Sequence, residues 1–387
     1  MRIAIIARRA QGINGTGGME RAATEIALGL HQRGHDIELV TSTPAGEARI
    51  DLPFRVTLLQ PRQRMGIRGW WDYRPWVQAV ADHVRANPPD FIVSFYGDVA
   101  ALSPGSPPVF LFTYGLEWYV TPGIHGLGLK RTYGPLGLAA VRHAAFLPTC
   151  GAVHLSRLHR VARKHLRPDA EAVHLHNWKQ PDADAGPTTA RAEARAALGL
   201  PEDAVVLGVV SRLAADKRLD VAVRAVHALR AEQPNLHFLI GGDGPERAAL
   251  QAIAQGNPAI RFLGRVDDAT ARNVMRASDA TVSVARTQYQ LFTVIEALSL
   301  GVPVLCADAE SQEGLIKEGV TGFILPHADD NSMQRALRRL LAMPPEARAA
   351  MEAACLREVA EGYTLDDAIT AIDTTAKRAV AGAAGHG

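Results

Sequence analysis

The sequence predicts an α/β fold of two doubly wound, Rossmann-like units. Three observations predict it. Apolar runs of strand length alternate with helical periods along most of the chain. A short polar stretch rich in Pro and Gly interrupts that alternation near the middle. And 387 residues suffice for two units that each bury a core.

Residues 3–7 (Ile-Ala-Ile-Ile-Ala) form an apolar run suited to a buried first strand. The loop 12–18, with four glycines, follows. From Met19 the apolar residues Ala22, Ala23, Ile26, Ala27 and Leu30 keep a helical period, and Gly34 supplies the stop. Residues 37–40, 54–59, 91–95 and 109–113 are the next strand candidates. Residues 179–190, which include Lys179-Gln180-Pro181-Asp182-Ala183-Asp184-Ala185-Gly186-Pro187, are the expected linker between a first domain at 1–178 and a second at 191–363. In the second domain, strands are expected at 205–210, 236–240, 260–263, 280–284 and 302–305. Helices are expected at 219–230, 248–254, 294–300 (stopped by Gly301), 333–342 and 345–359. A tail helix at 364–381 carries Leu365, Ile369 and Ile372 on one face.

Composition excludes several classes. A formal net charge of +2 and an ordinary 47% apolar and 21% charged content argue against a nucleic-acid partner. The three cysteines, Cys150, Cys306 and Cys355, are far apart and odd in number, as in a reduced, cytoplasmic protein. The opening apolar run is too short for a signal peptide, and no stretch reaches 18 uninterrupted apolar residues. The expected location is cytoplasmic, with any membrane contact peripheral, at the inner face.

The densest chemical signal runs from Ser211 to Phe323. It holds Ser211-Arg212-Leu213 with Lys217 five residues beyond the Arg, then Gly241-Gly242-Asp243-Gly244-Pro245-Glu246 and Gly264-Arg265-Val266. It continues through Gln288, Leu291-Phe292-Thr293, Glu296-Ala297-Leu298, Gly301-Val302-Pro303 and Thr321-Gly322-Phe323. Arg212 and Lys217 follow the first strand of the second domain, at the strand end where open α/β sheets bind ligands, and two cations there can neutralise a pyrophosphate. Most Arg and Lys are solvated surface charges, and each of these alone reads that way.

In that order and spacing the run resembles the donor half of glycosyltransferase family 4, retaining enzymes of the GT-B fold. The resemblance implies two Rossmann-like domains facing a central cleft, with the tail helix packing back on the first domain. It implies transfer of a hexose from a nucleotide diphosphate sugar, with UDP-hexose the expected donor and no cofactor or metal ion. The acceptor it implies is a hydroxyl of a glycan or glycolipid, as in lipopolysaccharide core or other cell-surface polysaccharide. By resemblance Arg212 and Lys217 bind the donor diphosphate, and Glu296 accepts hydrogen bonds from the ribose. Gly242, Asp243, Arg265 and Val266 complete the donor site with the backbone amides of Leu291, Phe292 and Thr293. The family pairs two Glu residues with seven residues between them, and here the first is Gln288. A neutral amide still bonds sugar hydroxyls but brings no negative charge. Leu291 and Arg218 stand where the family has Gly.

In the first domain Gly17-Gly18-Met19-Glu20 opens a helix and is similar to the family's Gly-Gly-x-Glu loop, which faces sugar and acceptor. A plain tight turn is the alternative. Thr113-Tyr114-Gly115-Leu116-Glu117-Trp118 is similar to a family segment with His in place of Tyr114, and the resemblance sets Tyr114 beside the reacting carbon. A phenol is no base at neutral pH.

Asp182-Ala183-Asp184 spells a D-x-D metal motif but lies in the linker, where solvated carboxylates are expected. His154, His159, His165, His174 and His176 are dense yet lack Cys or carboxylate partners at ligand spacing. The segment 68–76, with Arg68, Trp70, Trp71, Tyr73, Arg74 and Trp76, suits a membrane interface, a sugar-stacking cleft, or a core covered by aromatics with solvated cations. Two other functional classes stay open: a catalytically degenerate nucleotide-sugar-binding protein, and another GT-B enzyme such as a nucleotide-sugar epimerase.

Overall fold

The structure is a computed structural model that describes residues 1–15, 18–44, 51–59, 73–113, 127–150, 152–179, 188–285, 292–307 and 314–384. For residues 127–133, 152–153, 188–190 and 383–384 it describes the backbone alone. The chain folds as two compact units, residues 1–176 with 365–387, and residues 177–364.

The first unit is built on a seven-stranded parallel sheet. Its strands are β1 (Arg2–Ile6), β2 (Asp36–Ser42), β3 (Arg55–Leu59), β4 (Phe91–Phe95), β5 (Val109–Phe112), β6 (Ala144–Thr149) and β7 (Glu171–His174), in the order β3-β2-β1-β4-β5-β6-β7. Helices α1 (Gly18–Gln32), α2 (Tyr73–Ala86), α3 (Leu127–Val141) and α4 (Ala152–Ala162) connect them. Strand β4 is buried along its whole length, as a strand covered on both faces must be.

The second unit opens with α5 (Thr188–Ala197), then β8 (Val205–Val210), α6 (Leu219–Leu229), β9 (Leu236–Gly241), α7 (Arg247–Ala254) and β10 (Ile260–Gly264). It continues with α8 (Asp268–Ala277), β11 (Ala280–Ser283), α9 (Phe292–Ser299), β12 (Val304–Cys306), β13 (Gly322–Ile324), α10 (Asp330–Leu341) and α11 (Pro345–Ala360). Its six parallel strands run β10-β9-β8-β11-β12-β13. Each sheet therefore reverses its winding once, between β1 and β4 and between β8 and β11. The crevices at the carboxyl ends of those strand pairs are where a doubly wound sheet takes ligands.

The last helix, α12 (Leu365–Ala384), returns to the first unit. Gly29 of α1 makes that packing possible, because a Cβ there would lie 2.5 Å from Cγ1 of Ile369. Polar bonds fix the register. Arg33 donates to Asp366 Oδ1 at 2.6 Å and to Thr370 Oγ1 at 2.7 Å, and buried His35 shares a 2.9 Å bond with Asp373.

Several expectations need correction. Tyr73 and Trp76 open α2 and are buried, so half of the aromatic segment belongs to the core rather than to a membrane or sugar surface. Arg68, Trp70 and Trp71 lie outside the described residues. The strand expected at 302–305 is Val304–Cys306, because Pro303 has no N–H to give the ladder. His174 ends β7 and His176 lies beyond it, with the two rings edge to face at 4.5 Å. Helices α2, α3, α4, α5 and α8 and strands β6, β7 and β13 were not anticipated. Strand β7 is a mostly exposed edge strand and β13 is three residues long, so neither carries an apolar run. Cys150, Cys306 and Cys355 are buried.

Candidate functional site

The donor-side motifs converge at the carboxyl end of β8. Beyond Val210 the chain turns through Ser211, Arg212 and Leu213 into a short 3-10 turn, Ala215–Lys217. Asp216 sits at its centre with a side chain only 6% exposed. Its two oxygens meet two cations, Arg212 Nη2 at 3.5 Å and Lys217 Nζ at 3.7 Å. Arg212 is 64% exposed and reaches outward, whereas Lys217 is 19% exposed. Burial, with the nearby Arg212 charge, pulls the Lys217 ammonium below the usual lysine range, and Asp216 opposes that. Asp216 was missed in the sequence. A carboxylate between two cations of a motif was the available signal.

Arg218 adopts φ +50°, ψ +33°, the left-handed region. This is where the resembling family has Gly, and the backbone here keeps the glycine conformation with an Arg. Its guanidinium donates to the Ala328 carbonyl at 3.1 Å, which fixes the residue from the far side.

The glycine loop after β9 packs backbone to backbone on this turn. Ser211 N–H donates to Gly241 O at 3.0 Å, Leu213 N–H to Asp243 O at 3.0 Å, and Glu246 N–H to Leu213 O at 3.1 Å. A Cβ on Gly242 would lie 1.9 Å from Ser211 O, and one on Gly244 would lie 2.2 Å from Leu213 O. Both glycines are thus required by contact, and Gly242 also by its φ of +123°. Gly244→Ala is therefore expected to cost about 2 kcal/mol by overpacking and to shift the Arg212 turn. A urea titration of the variant should show a lower midpoint, and an unchanged midpoint would contradict this packing.

Asp243 receives Gly244 N–H at 2.8 Å and lies 3.5 Å from Arg247 Nη1. Gly264, at φ +72°, turns β10 into exposed Arg265 and half-buried Val266, whose Cγ2 covers Gly241.

Across the switch point, α9 begins at Phe292, and the Phe292 ring stands edge to face on buried Trp178 at 5.3 Å. Thr293 and Glu296 are half-buried, while Val294, Ile295, Ala297 and Leu298 fill the core. Glu296 lies one turn beyond Phe292 on the same helical face. Gln288 and Leu291 lie outside the described residues.

In the first unit the switch point is bounded by the segment after β1 and the end of β4. Asn14 staples the former: its Oδ1 accepts from Ala10 N–H at 2.8 Å and its Nδ2 donates to Ser42 O at 2.6 Å. Gly18 opens α1, and Glu20 in its first turn is 3.4 Å from Arg9 Nη1 and packed against Gly15, so its carboxylate already has a partner. Gly17 and Tyr114 lie outside the described residues. Sequence reasoning also missed Asp98, buried beyond the end of β4. Its signal was a lone acid just after a strand of apolar residues broken only by Ser94.

Among the described residues no helix is long and apolar enough to cross a membrane, and no group of three or more His, Cys, Asp or Glu is placed to hold a metal ion. Asp182 and Asp184 lie outside the described residues.

Comparison with known proteins adds the following. Residues 16–145 match the family model for Glycosyltransferase Family 4, and residues 190–356 match the model for Glycosyl transferases group 1. Alpha-D-kanosaminyltransferase from Streptomyces kanamyceticus is 27% identical over 220 residues, which are 56% of this chain and 57% of that protein. The chain spans about half the length of the curated relatives it matches. The structure of WaaG, a glycosyltransferase involved in lipopolysaccharide biosynthesis, superposes with a TM-score of 0.75 at 18% identity, over 97% of this chain and 98% of that one. Anabaena HepE in complex with UDP-glucose superposes with a TM-score of 0.72 at 16% identity, over 97% and 100%. The fold is GT-B.

Proposed function

We propose that this chain, a GT-B glycosyltransferase by its fold and by both family models, moves a hexose from a nucleotide diphosphate sugar to a hydroxyl of a cell-surface glycan or lipid-linked acceptor, with retained anomeric configuration. One observation carries the reading: the Arg212–Asp216–Lys217 turn, held by the glycine loop at the switch point of the second sheet.

The chemistry follows from the charges. As the anomeric carbon–oxygen bond breaks, negative charge grows on the departing diphosphate. Arg212 extends from the surface to meet it, and Lys217 is held by Asp216 in a partly desolvated position, where a fixed cation acts most strongly. The anomeric carbon develops oxocarbenium character. Attack comes from the face the diphosphate leaves. The acceptor oxygen bonds to the carbon, and its proton passes to the departing phosphate oxygen. Glu296 takes the ribose hydroxyls, and Phe292 and Thr293 offer amides at the start of α9. The UDP-glucose bound to HepE and the lipopolysaccharide role of WaaG support UDP-hexose as donor and a glycolipid as acceptor. A lipid-linked acceptor would bring the chain to the inner face of the membrane as a peripheral protein.

A thermal-shift panel of UDP-, GDP- and ADP-hexoses tests the donor assignment. A ligand at a hundredfold its dissociation constant stabilises by about 2.7 kcal/mol, so a rise in melting temperature is expected with a UDP-hexose. Release of UDP with an acceptor present should follow. No shift and no transfer with any donor would overturn the reading. Activity is expected to survive EDTA, since protein cations meet the leaving-group charge. Loss in EDTA restored by a divalent ion would show a metal-dependent reaction instead.

A further inference from the structure

The first unit holds a buried acid at its own switch point that the donor chemistry does not use. Asp98 is 3% exposed and lies just beyond the end of β4. Three donors from two segments converge on it. Arg8, two residues past β1, gives its backbone N–H to Oδ2 at 2.9 Å. Tyr73 Oη and Trp76 Nε1, both from the first turns of α2, reach Oδ1 at 2.8 and 2.9 Å. The Arg8 guanidinium lies 4.9 Å from the centre of the Tyr73 ring, so the same residue is held through main chain and side chain. The backbone beside Asp98 is unusual: Tyr96 sits at φ +51°, and Gly97 leaves 3.2 Å between a built Cβ and Tyr73 Oη.

We propose that Asp98 is a positioning residue for the acceptor-side loop, its carboxylate fixing the Arg8 main chain from which the loop carrying Asn14, Gly18 and Glu20 departs. The assignment of this loop to the acceptor rests on the transfer reading above. Arg8 is the hinge of the arrangement. Its N–H goes to Asp98, while its carbonyl accepts from Ser42 N–H at 3.2 Å, Ser42 Oγ at 2.8 Å and Thr41 Oγ1 at 3.2 Å. Glu20 O then accepts Gln11 N–H at 3.0 Å, which ties the loop to the start of α1. Movement at Arg8 is thereby passed to the segment that ends in Glu20.

The bond depends on ionisation. An N–H of Arg8 and an indole N–H of Trp76 can only donate, so a carboxylate satisfies both and a protonated acid competes with them. Burial raises the Asp98 carboxyl to about 6, against the pull of the Arg8 amide, the Trp76 and Tyr73 bonds and the Arg8 charge. The titratable or charged groups facing it are Arg8 after β1, Tyr96 after β4 and Tyr73 on α2. The folded value lies above the ordinary one, so folding favours the protonated form. That stabilisation is complete below about pH 4 and is lost as pH rises through about 6. Holding Asp98 ionised at neutral pH thus works against stability and in favour of the Arg8 bond.

Two readouts test the proposal on the full chain. In amide NMR of the protein without ligand, the Arg8 N–H resonance should titrate with a single step near pH 6 and should not do so in Asp98→Asn. This arm needs no donor or acceptor, so it stands whether or not the transfer reading holds. Tyr73→Phe, which removes one bond to the ionised form and leaves the Arg8 contact, should move that step to higher pH. With transfer measured, KM for the acceptor should rise below the same pH in the wild type, with KM for the donor unmoved. A flat Arg8 resonance overturns the proposal. So does an Arg8 step that Tyr73→Phe leaves in place, or an acceptor KM that ignores it.

Discussion

Replacing Lys217 with Ala should lower turnover by about a hundredfold or more, and Arg212→Ala should do the same, as loss of one preorganised charge donor does. The two losses should differ in kind. Arg212 is mostly exposed, so its contribution is made when it closes on the diphosphate. Lys217 is partly desolvated and held beside Asp216, so its removal also leaves a nearly buried carboxylate facing the donor phosphates. Two negative groups then oppose each other, and donor affinity should fall with turnover in Lys217→Ala. A second substitution, Asp216→Asn, should restore part of that affinity. Steady-state kinetics with UDP-hexose on the two single variants and the double variant checks this. Near-normal turnover in both single variants would remove the donor diphosphate from this turn.

Asp279→Ala should destabilise the second unit by about 4 kcal/mol, the cost of breaking a buried ion-pair cluster from one side. The Asp279 carboxylate is 9% exposed and joins segments far apart in sequence. Arg191 and Arg195 of α5 reach it at 2.7 and 2.8 Å, Arg348 of α11 at 3.3 Å, and Val206 N–H of β8 donates to it at 2.7 Å. Arg191 also pairs with Glu352. Truncation leaves three guanidinium groups crowded without their shared acceptor and strips β8 of an amide partner. The melting temperature should drop on the order of 10 °C for a unit of this size. This cluster lies at the amino end of β11, away from the carboxyl ends that hold the donor motifs, so KM for the donor at low temperature should stay near that of the wild type. Calorimetry and kinetics at 10 °C separate the two effects. An unshifted melting temperature would show that the arginines are satisfied by their carbonyl partners alone.

The two doubly wound sheets were legible because their strands are buried on both faces. Val205–Val210 and Val109–Phe112 are continuous apolar runs of strand length. Helix α8 was not legible. It mixes Asp268, Thr270, Arg272, Asn273 and Arg276 with small residues and buries only Val274, Met275 and Ala277, so its apolar stripe is too thin to read. The glycine loop was visible as a motif, but its cause was not. Gly242 and Gly244 are glycines because the Ser211 and Leu213 carbonyls stand where their Cβ atoms would be, and those carbonyls belong to another loop. Asp98, Asp216 and Asp279 show the same limit in polar form. An acid's role is set by which donors the fold brings to it. Tyr73 is 25 residues from Asp98, and Val206 is 73 residues from Asp279. Arg218 ran the other way: the departure from Gly was visible in the sequence, and the structure keeps the left-handed backbone all the same.

The most direct test of the donor site is calorimetric titration of UDP, GDP and ADP into the wild type and Lys217→Met, which keeps the side-chain stem and removes the charge. The expected result is that one nucleoside diphosphate, UDP, binds the wild type and loses at least about tenfold in affinity in the variant, or about 1.4 kcal/mol. Equal affinity of the two proteins for every nucleotide, with both folded, would contradict the placement of the donor diphosphate at the end of β8.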